Sequence, residues 1–475
     1  TGDLEMEKVE KKKVKLAAPD TLIIVAACVL LVAILGWIIP SGTYDYQEME
    51  INGRIRNIAI NGTYQQIDKT EVTTTSFLGF FSSLYRGCVG AADVIFMIIC
   101  CCGTFGTVVK THAFHAGIGA MIKKMNGKEI LIVPVLMCIF GFGGSVFGMA
   151  SEFYGFYPLI VGLGVAMGYD AMFGFAIIAV GEFVGFMGGT LNPYTVGIAQ
   201  AIAGVELYSG IGYRVLCWVV FMSISIVFVL AYGRKIKKNP QLSVVYGEKN
   251  PHAFSPDELD VVNFTSKDAL ILLDVAVTLI ILMFGLISWG WGYEQLCGLF
   301  LIMSMVAGII AKWSPNRWCA EFIDSAKVAL WGCILTGIAN AITVVMQDAK
   351  IMDTVIYACG NLLENAPEML SAQLMLIVQT LINFFIPSET GQAAASMPIM
   401  SQLADILGVT RQTAVLAYQF GGGLTNIYWP TADIVIICGL GGISLQKWYK
   451  WFTPLFLMLF LAQVILLAIA TVIGY

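Results

Sequence analysis

The sequence predicts an all-α integral membrane protein built as an inverted repeat, with two re-entrant hairpins and two broken helices. Three observations lead there: apolar stretches of membrane-crossing length recur along the chain, basic residues gather on alternate connections, and landmarks of the first half return in the second. Of the 475 residues 58% are hydrophobic and 12% charged, with a mean hydropathy of +0.79. A soluble domain carries roughly 25% charged residues, and a spanning helix needs roughly 20 apolar ones. The net charge of −5 excludes little, because membrane proteins sort charge by side rather than in total. No basic patch with interleaved aromatics points to nucleic acid. Most of the twelve cysteines lie inside apolar stretches, as in Cys100-Cys101-Cys102. They read as small hydrophobes rather than a disulfide or metal framework.

Taken in order, a charged cytoplasmic tail (1–20) precedes a first span at 21–40. Further spans follow at 88–109, 171–208, 211–232, 269–289, 295–312, 328–346, 411–443 and 452–474. Segments 129–167 and 369–407 are too long for one helix and are interrupted by Gly, Ser and Pro, so they read as re-entrant hairpins. Nine spans leave the amino end inside and the carboxyl end outside. Lys8 to Lys15, Lys123 to Lys128, Arg234 to Lys238, Lys312 with Arg317, and Lys447 with Lys450 then share the cytoplasmic side, as the positive-inside rule requires. Residues 41–75 become an outside loop. The first membrane half is 21–233, the cytoplasmic linker 234–268 and the second half 269–475.

The halves share landmarks. Thr107-Val108-Val109 returns as Thr343-Val344-Val345, Pro158 with Gly168 as Pro398 with Gly408, and Asn192-Pro193 as Asn426 and Pro430, all at offsets of 234–240 residues. In this topology hairpin 129–167 enters from the cytoplasm and hairpin 369–407 from outside. Inverted repeats of this kind build many secondary transporters.

Four stretches carry the chemistry. The hairpins turn through GFGGSVFGMASE (141–152) and IPSETGQAAAS (386–396), and the broken helices 171–208 and 411–443 are interrupted by GGTLNPYT (188–195) and GGGLTNIYWPT (421–431). Lipid cannot satisfy backbone groups freed by such breaks, so they persist only inside protein or along a wet cavity. Gly permits the turns, and Pro193 and Pro430 stop the helices. Half-helix amino ends attract carboxylates, and half-helix carboxyl ends with their unwound carbonyls attract cations. Single Gly-rich segments are common packing contacts in membranes; four in two symmetric pairs point to a site. The candidate ligands are Ser145, Ser151, Glu152, Thr190, Asn192 and Thr195 in the first half. In the second they are Ser388, Glu389, Thr390, Gln392, Thr425, Asn426, Thr431 and Asp433.

Ionisable residues at membrane depth are costly and mark function. Glu152, Glu182 and Glu389 are the candidates for coupling, and no Lys or Arg lies within the four segments. Such a site favours a sodium ion, a proton or a substrate ammonium, with no other cofactor expected. His112 and His115 read as interfacial, and Trp289, Trp291, Trp448 and Trp451 as interfacial anchors. No phosphate-binding loop, zinc motif or nucleophile elbow appears. A membrane-embedded enzyme would need a histidine–acid or metal constellation, which three histidines do not form. A passive channel sits poorly with hairpins that plug the midplane.

Three of these pieces, FGMASEFYGFYP (147–158), NPYTVGIAQAIAGV (192–205) and the long run from Pro387 to Thr431, carry a family likeness. The chain resembles the YfcC branch of the four-carbon dicarboxylate anaerobic carrier and arginine/ornithine antiporter family, within the ion transporter superfamily. The resemblance implies a homodimer in a prokaryotic cytoplasmic membrane, each protomer with a scaffold and a transport domain that moves like an elevator. It departs from the family pattern at Glu389, where small residues are usual, and at Gly421–Gly423. With four acids and no base at the breaks, an amino acid fits better than a dicarboxylate. Its carboxylate would meet half-helix amino ends and its ammonium Glu152 or Glu389. The expectation is secondary active transport of a small amino acid, basic ones included. Sodium- or proton-coupled carriage of dicarboxylates is the alternative.

Overall fold

A computed structural model describes residues 20–51, 54–125, 129–252, 264–364 and 370–475. The basic tail, Lys128 and linker residues 253–263 lie outside that description. Apolar length sets the frame. Among the described residues eight helices are long and apolar enough to cross a membrane: Thr21–Ile38, Ala92–Lys110, Glu129–Phe147, Ile211–Lys238, Ser266–Leu286, Tyr293–Ile310, Pro315–Asp348 and Leu445–Ile473. Short polar side chains start the helices that matter below. Asp170 accepts the Phe173 N–H at 2.7 Å, and Thr410 accepts the Thr413 N–H at 3.1 Å; each satisfies a donor that the first helical turn leaves free.

Both spans predicted as broken are broken. Ala171–Met187 is followed by Val196–Ala203, and Arg411–Thr425 by Ile434–Gly441. The first interruption is non-helical over 188–195 as predicted, whereas the second lies at 426–433, because Gly421–Gly423 and the two residues after them continue the helix. Segment 129–167 is a pair of helices, Ile132–Phe142 and Tyr157–Ala166, joined by irregular turns. In 369–407, Ser371–Phe385 turns at residues 386–388 into Glu389–Ile406.

Four expectations are corrected. The chain is not wholly α-helical. Ser41–Thr43 pairs antiparallel with Gln65–Ile67, and Tyr46–Ile51 with Arg54–Ala59. This small β unit is tied down by polar contacts: the Tyr46 hydroxyl donates to Asp353 Oδ1 at 2.6 Å and the Tyr44 N–H to Oδ2 at 3.0 Å. The span placed at 88–109 begins at Phe77 and is interrupted at Ala91. Arg234 to Lys238 end the helix Ile211–Lys238 rather than open the linker, where their charge complements the helix carboxyl end. Trp448 is fully buried, its indole N–H donating to the Ile427 carbonyl at 2.8 Å, and Trp451 is buried beside it. Neither is an interfacial anchor, whereas Trp289 is exposed.

From Phe77 onward the helices form two series in the same order. The first runs Phe77–Gly90, Ala92–Lys110, Ala113–Met125, Ile132–Phe142, Tyr157–Ala166, Ala171–Met187, Val196–Ala203 and Ile211–Lys238. The second runs Pro315–Ala326, Leu330–Asp348, Met352–Glu364, Ser371–Phe385, Glu389–Ile406, Arg411–Thr425, Ile434–Gly441 and Leu445–Ile473. Every member of the second begins 232–240 residues after its counterpart. Each helix pair packs on the broken helix that follows it, and the two broken helices pack on one another. Thr21–Ile38, Phe77–Gly90, Ala92–Lys110, Tyr293–Ile310 and the helices of 315–348 pack together, and Leu330–Asp348 meets the half-helix Ile434–Gly441.

Candidate functional site

Glycine is required where the second broken helix threads between its neighbours. A Cβ on Gly421 would lie 2.9 Å from the Thr380 backbone nitrogen. One on Gly422 would lie 2.5 Å from the Glu389 carboxylate, and one on Gly423 2.5 Å from the Met187 Cα. Each residue of the triplet thus faces a different element, and real Cβ atoms do not approach that closely. Gln419 fastens the same crossing by donating to the Phe186 carbonyl at 2.6 Å.

Around the second hairpin the side chains form one network. Asn383 donates to Gln392 Oε1 at 3.0 Å, and its own Oδ1 accepts the Thr425 hydroxyl at 2.8 Å. Asn426 Nδ2 donates to Glu389 Oε1 at 3.0 Å, while Glu389 Oε2 is buried without a hydrogen-bond partner. Asn383 lies in the last turn of the first arm, just before the tip segment 386–396, which is why residue type and spacing did not single it out.

The first half is tied differently. The Thr190 N–H donates to the Ser145 carbonyl at 2.9 Å, with their hydroxyls 3.1 Å apart. Asn192 Oδ1 accepts the Tyr194 N–H at 2.9 Å and packs against Gly148, whose φ of +67° favours glycine. Glu152 Oε2 accepts the Ala150 N–H at 3.0 Å, and Glu182 Oε2 accepts the Tyr157 hydroxyl at 2.9 Å. Two further bonds cross between the halves. The Tyr154 hydroxyl at the first tip donates to Asp433 Oδ1 of the second break, and the Thr390 hydroxyl at the second tip donates to the Tyr194 carbonyl of the first break, both at 2.9 Å.

A cavity of about 870 Å³ lies where tips and breaks meet, within the range of small-molecule sites, roughly 300–1,000 Å³. Ser151, Glu152, Thr195, Ser388, Glu389, Thr390, Asn426, Thr431 and Asp433 line it. Ser145, Thr190, Asn192, Glu182, Gln392 and Thr425 do not; all are buried, and all but Glu182 brace the lining or the backbone of the breaks.

The charge balance differs from that read along the chain. Asp93 and Glu294 add carboxylates to the lining, and Arg56, from the strand Arg54–Ala59, adds a guanidinium. A second cation, Arg214, is 2% exposed; its Nε donates to the Thr190 carbonyl at 3.2 Å and its Nη1 to the Tyr475 hydroxyl at 2.9 Å. It sits beyond the carboxyl end of the half-helix Ala171–Met187, where a positive charge is favoured. In the second half Trp448 and Tyr449 occupy the equivalent place and donate to the Ile427 and Tyr428 carbonyls, each at 2.8 Å. The expectation of no base around the breaks is therefore corrected. Both arginines are distant from the motifs in sequence and reach the site only through the fold.

Residues 18–472 match the family described as "DcuC: C4-dicarboxylate anaerobic carrier". The chain is 30% identical over 496 residues to the Escherichia coli (strain K12) protein named "Putative basic amino acid antiporter YfcC", covering 97% of each. It is 27% identical over 503 residues to an uncharacterised Haemophilus influenzae protein, covering 97% of this chain and 98% of that one. Among solved structures it is similar to the Alcanivorax borkumensis YdaH transporter, with a TM-score of 0.44, 14% identity and coverage of 96% of this chain and 99% of that one. Neisseria gonorrhoeae MtrF, described within a class of antimetabolite efflux pumps, gives a TM-score of 0.43 and 15% identity, covering 97% and 96%.

Proposed function

Because the chain belongs to the C4-dicarboxylate anaerobic carrier family, we propose that it is a secondary active transporter of a small cationic amino acid of the arginine or ornithine type. The observation that carries this reading is the cavity, where among the described residues five carboxylates (Asp93, Glu152, Glu294, Glu389 and Asp433) and one guanidinium, that of Arg56, line the wall. A dicarboxylate entering there meets net repulsion unless several cations enter first. A basic amino acid brings two positive charges for the acids and one carboxylate for the cation. The name of the Escherichia coli relative points the same way, and that of the family keeps the dicarboxylate reading as the rival.

The mechanism follows from the two helix series. Their matched order, and the reciprocal bonds from each tip to the other half's break, support an inverted repeat with one hairpin entering from each side of a prokaryotic cytoplasmic membrane. The hairpins and broken helices form the transport domain. Helices of 21–38, 77–110 and 293–348 form the scaffold, through which two copies pair, and the transport domain slides against it like an elevator. Cysteine placed at Gly168 and at Gly408, the matching exposed turns after each hairpin, with the exposed Cys319 removed, is expected to react with an impermeant thiol reagent from opposite faces. Reaction of both from one face would contradict the inverted arrangement.

The cargo is tested first by binding. Purified protein in detergent is expected to melt at higher temperature with arginine, ornithine or lysine, because a ligand held only by the folded state stabilises it. Succinate and fumarate should leave the melting temperature unchanged. Stabilisation by the dicarboxylates alone would reverse the assignment.

A further inference from the structure

We propose that Arg56 holds the carboxylate of the substrate and thereby makes the site select amino acids over amines. This rests on the reading of the cavity as a cationic amino acid site. Arg56 comes from neither a hairpin nor a broken helix. It belongs to the β unit between the first two membrane helices, where it pairs in register with Met49 of the neighbouring strand. Its own strand, Arg54–Ala59, packs on the helix Glu389–Ile406, and just beyond it Asn61 Nδ2 donates to Gln402 Oε1 at 2.6 Å. With Tyr44 and Tyr46 bonded to Asp353, the β unit is anchored on two sides, so Arg56 is presented to the cavity from a fixed support.

Among the described residues that line the cavity, Arg56 is the one cation. It shares the lining with Ser388, Glu389 and Thr390, so it borders the wall made by the second tip. The amino end of Glu389–Ile406, capped by Ser388, forms part of that wall and adds a partial positive charge. A guanidinium fork matches a carboxylate with two parallel hydrogen bonds, whereas an amine offers it only repulsion. The other acids of the lining remain for the two ammonium or guanidinium groups of the cargo. A diamine made by removing the carboxylate would keep those contacts and lose the one to Arg56.

The test compares ornithine with the diamine of the same carbon chain, by calorimetry on the full-length protein, for wild type, Arg56→Gln and Arg56→Lys. Wild type is expected to prefer ornithine. Loss of a charge-assisted contact should lower ornithine affinity about tenfold or more in Arg56→Gln, while diamine affinity falls much less or rises, so that the preference collapses. Arg56→Lys should recover part of it. An equal fall for both ligands would show that Arg56 only supports the fold, and no change for either would remove it from the site; each overturns the proposal. Wild type that binds neither ligand overturns the reading of the cavity itself, and the proposal with it.

Discussion

Replacing Glu389 by glutamine is expected to weaken substrate binding by about 2 kcal/mol or more, on the order of a thirtyfold fall in affinity. The carboxylate is buried at the second tip, with one oxygen taking the Asn426 amide and the other having no partner. An unsatisfied acidic oxygen buried in a side chain that lines a cavity is a place for a cation, because leaving it bare costs more than filling it. Glutamine keeps the volume and an acceptor for Asn426 but replaces the open oxygen with a donor. The same change at Glu152 should cost less, since its Oε2 already accepts a backbone N–H of its own turn. Arginine affinity measured by calorimetry on both variants checks this. Unchanged affinity in both would remove the tip acids from the site and favour the dicarboxylate reading.

Gly423→Ala is expected to abolish transport for a steric reason. The added methyl would sit 2.5 Å from the Met187 Cα, 3.0 Å from its nitrogen and 3.1 Å from its Cβ. Backbone cannot yield as a flexible side chain can, so the two broken helices must separate where they cross. Overpacking of this kind costs about 1–3 kcal/mol, and the displacement is passed to the breaks on either side. The expected result is a lower melting temperature and uptake at least about tenfold below wild type, since a small misplacement of a site costs far more than its stability term. Gly298→Ala is the control: its added methyl meets nothing within 4 Å, and alanine is the better helix former. Wild-type transport by Gly423→Ala would mean that this crossing does not position the site.

Much of the frame was legible in the sequence because its causes are local. Gly188-Gly189 and Pro193 in the first span and Pro430 in the second mark interruptions of apolar helices, and chain physics alone says so; the Gly421–Gly423 run stays helical and serves close packing instead. The hairpins declared themselves by apolar length broken at Ser and Gly. Other features depend on neighbours that no window contains. The helix Phe77–Gly90 follows directly on polar residues, and its interruption at Ala91 is marked only by Gly90 within a run of small residues. The strands of 41–67 are short and mostly polar, so their pairing is fixed by Asp353 and Thr354 across the fold. The site was harder still. Ser145, Asn192 and Thr425 have the right chemistry at the right breaks, yet their hydrogen bonds turn inward to hold backbone and neighbouring side chains. Arg56 and Arg214 lie outside every motif and enter the site only because the β unit and the helix Ile211–Lys238 deliver them.

The account turns on cargo charge, and the most direct measurement is counterflow. Proteoliposomes loaded with unlabelled arginine or ornithine should accumulate labelled arginine transiently, and external lysine should compete while succinate and fumarate do not. The Glu389→Gln protein, reconstituted at equal density, should show little of this uptake. Accumulation driven by internal dicarboxylate, indifferent to arginine and intact in Glu389→Gln, would contradict the assignment of the cavity to a cationic amino acid.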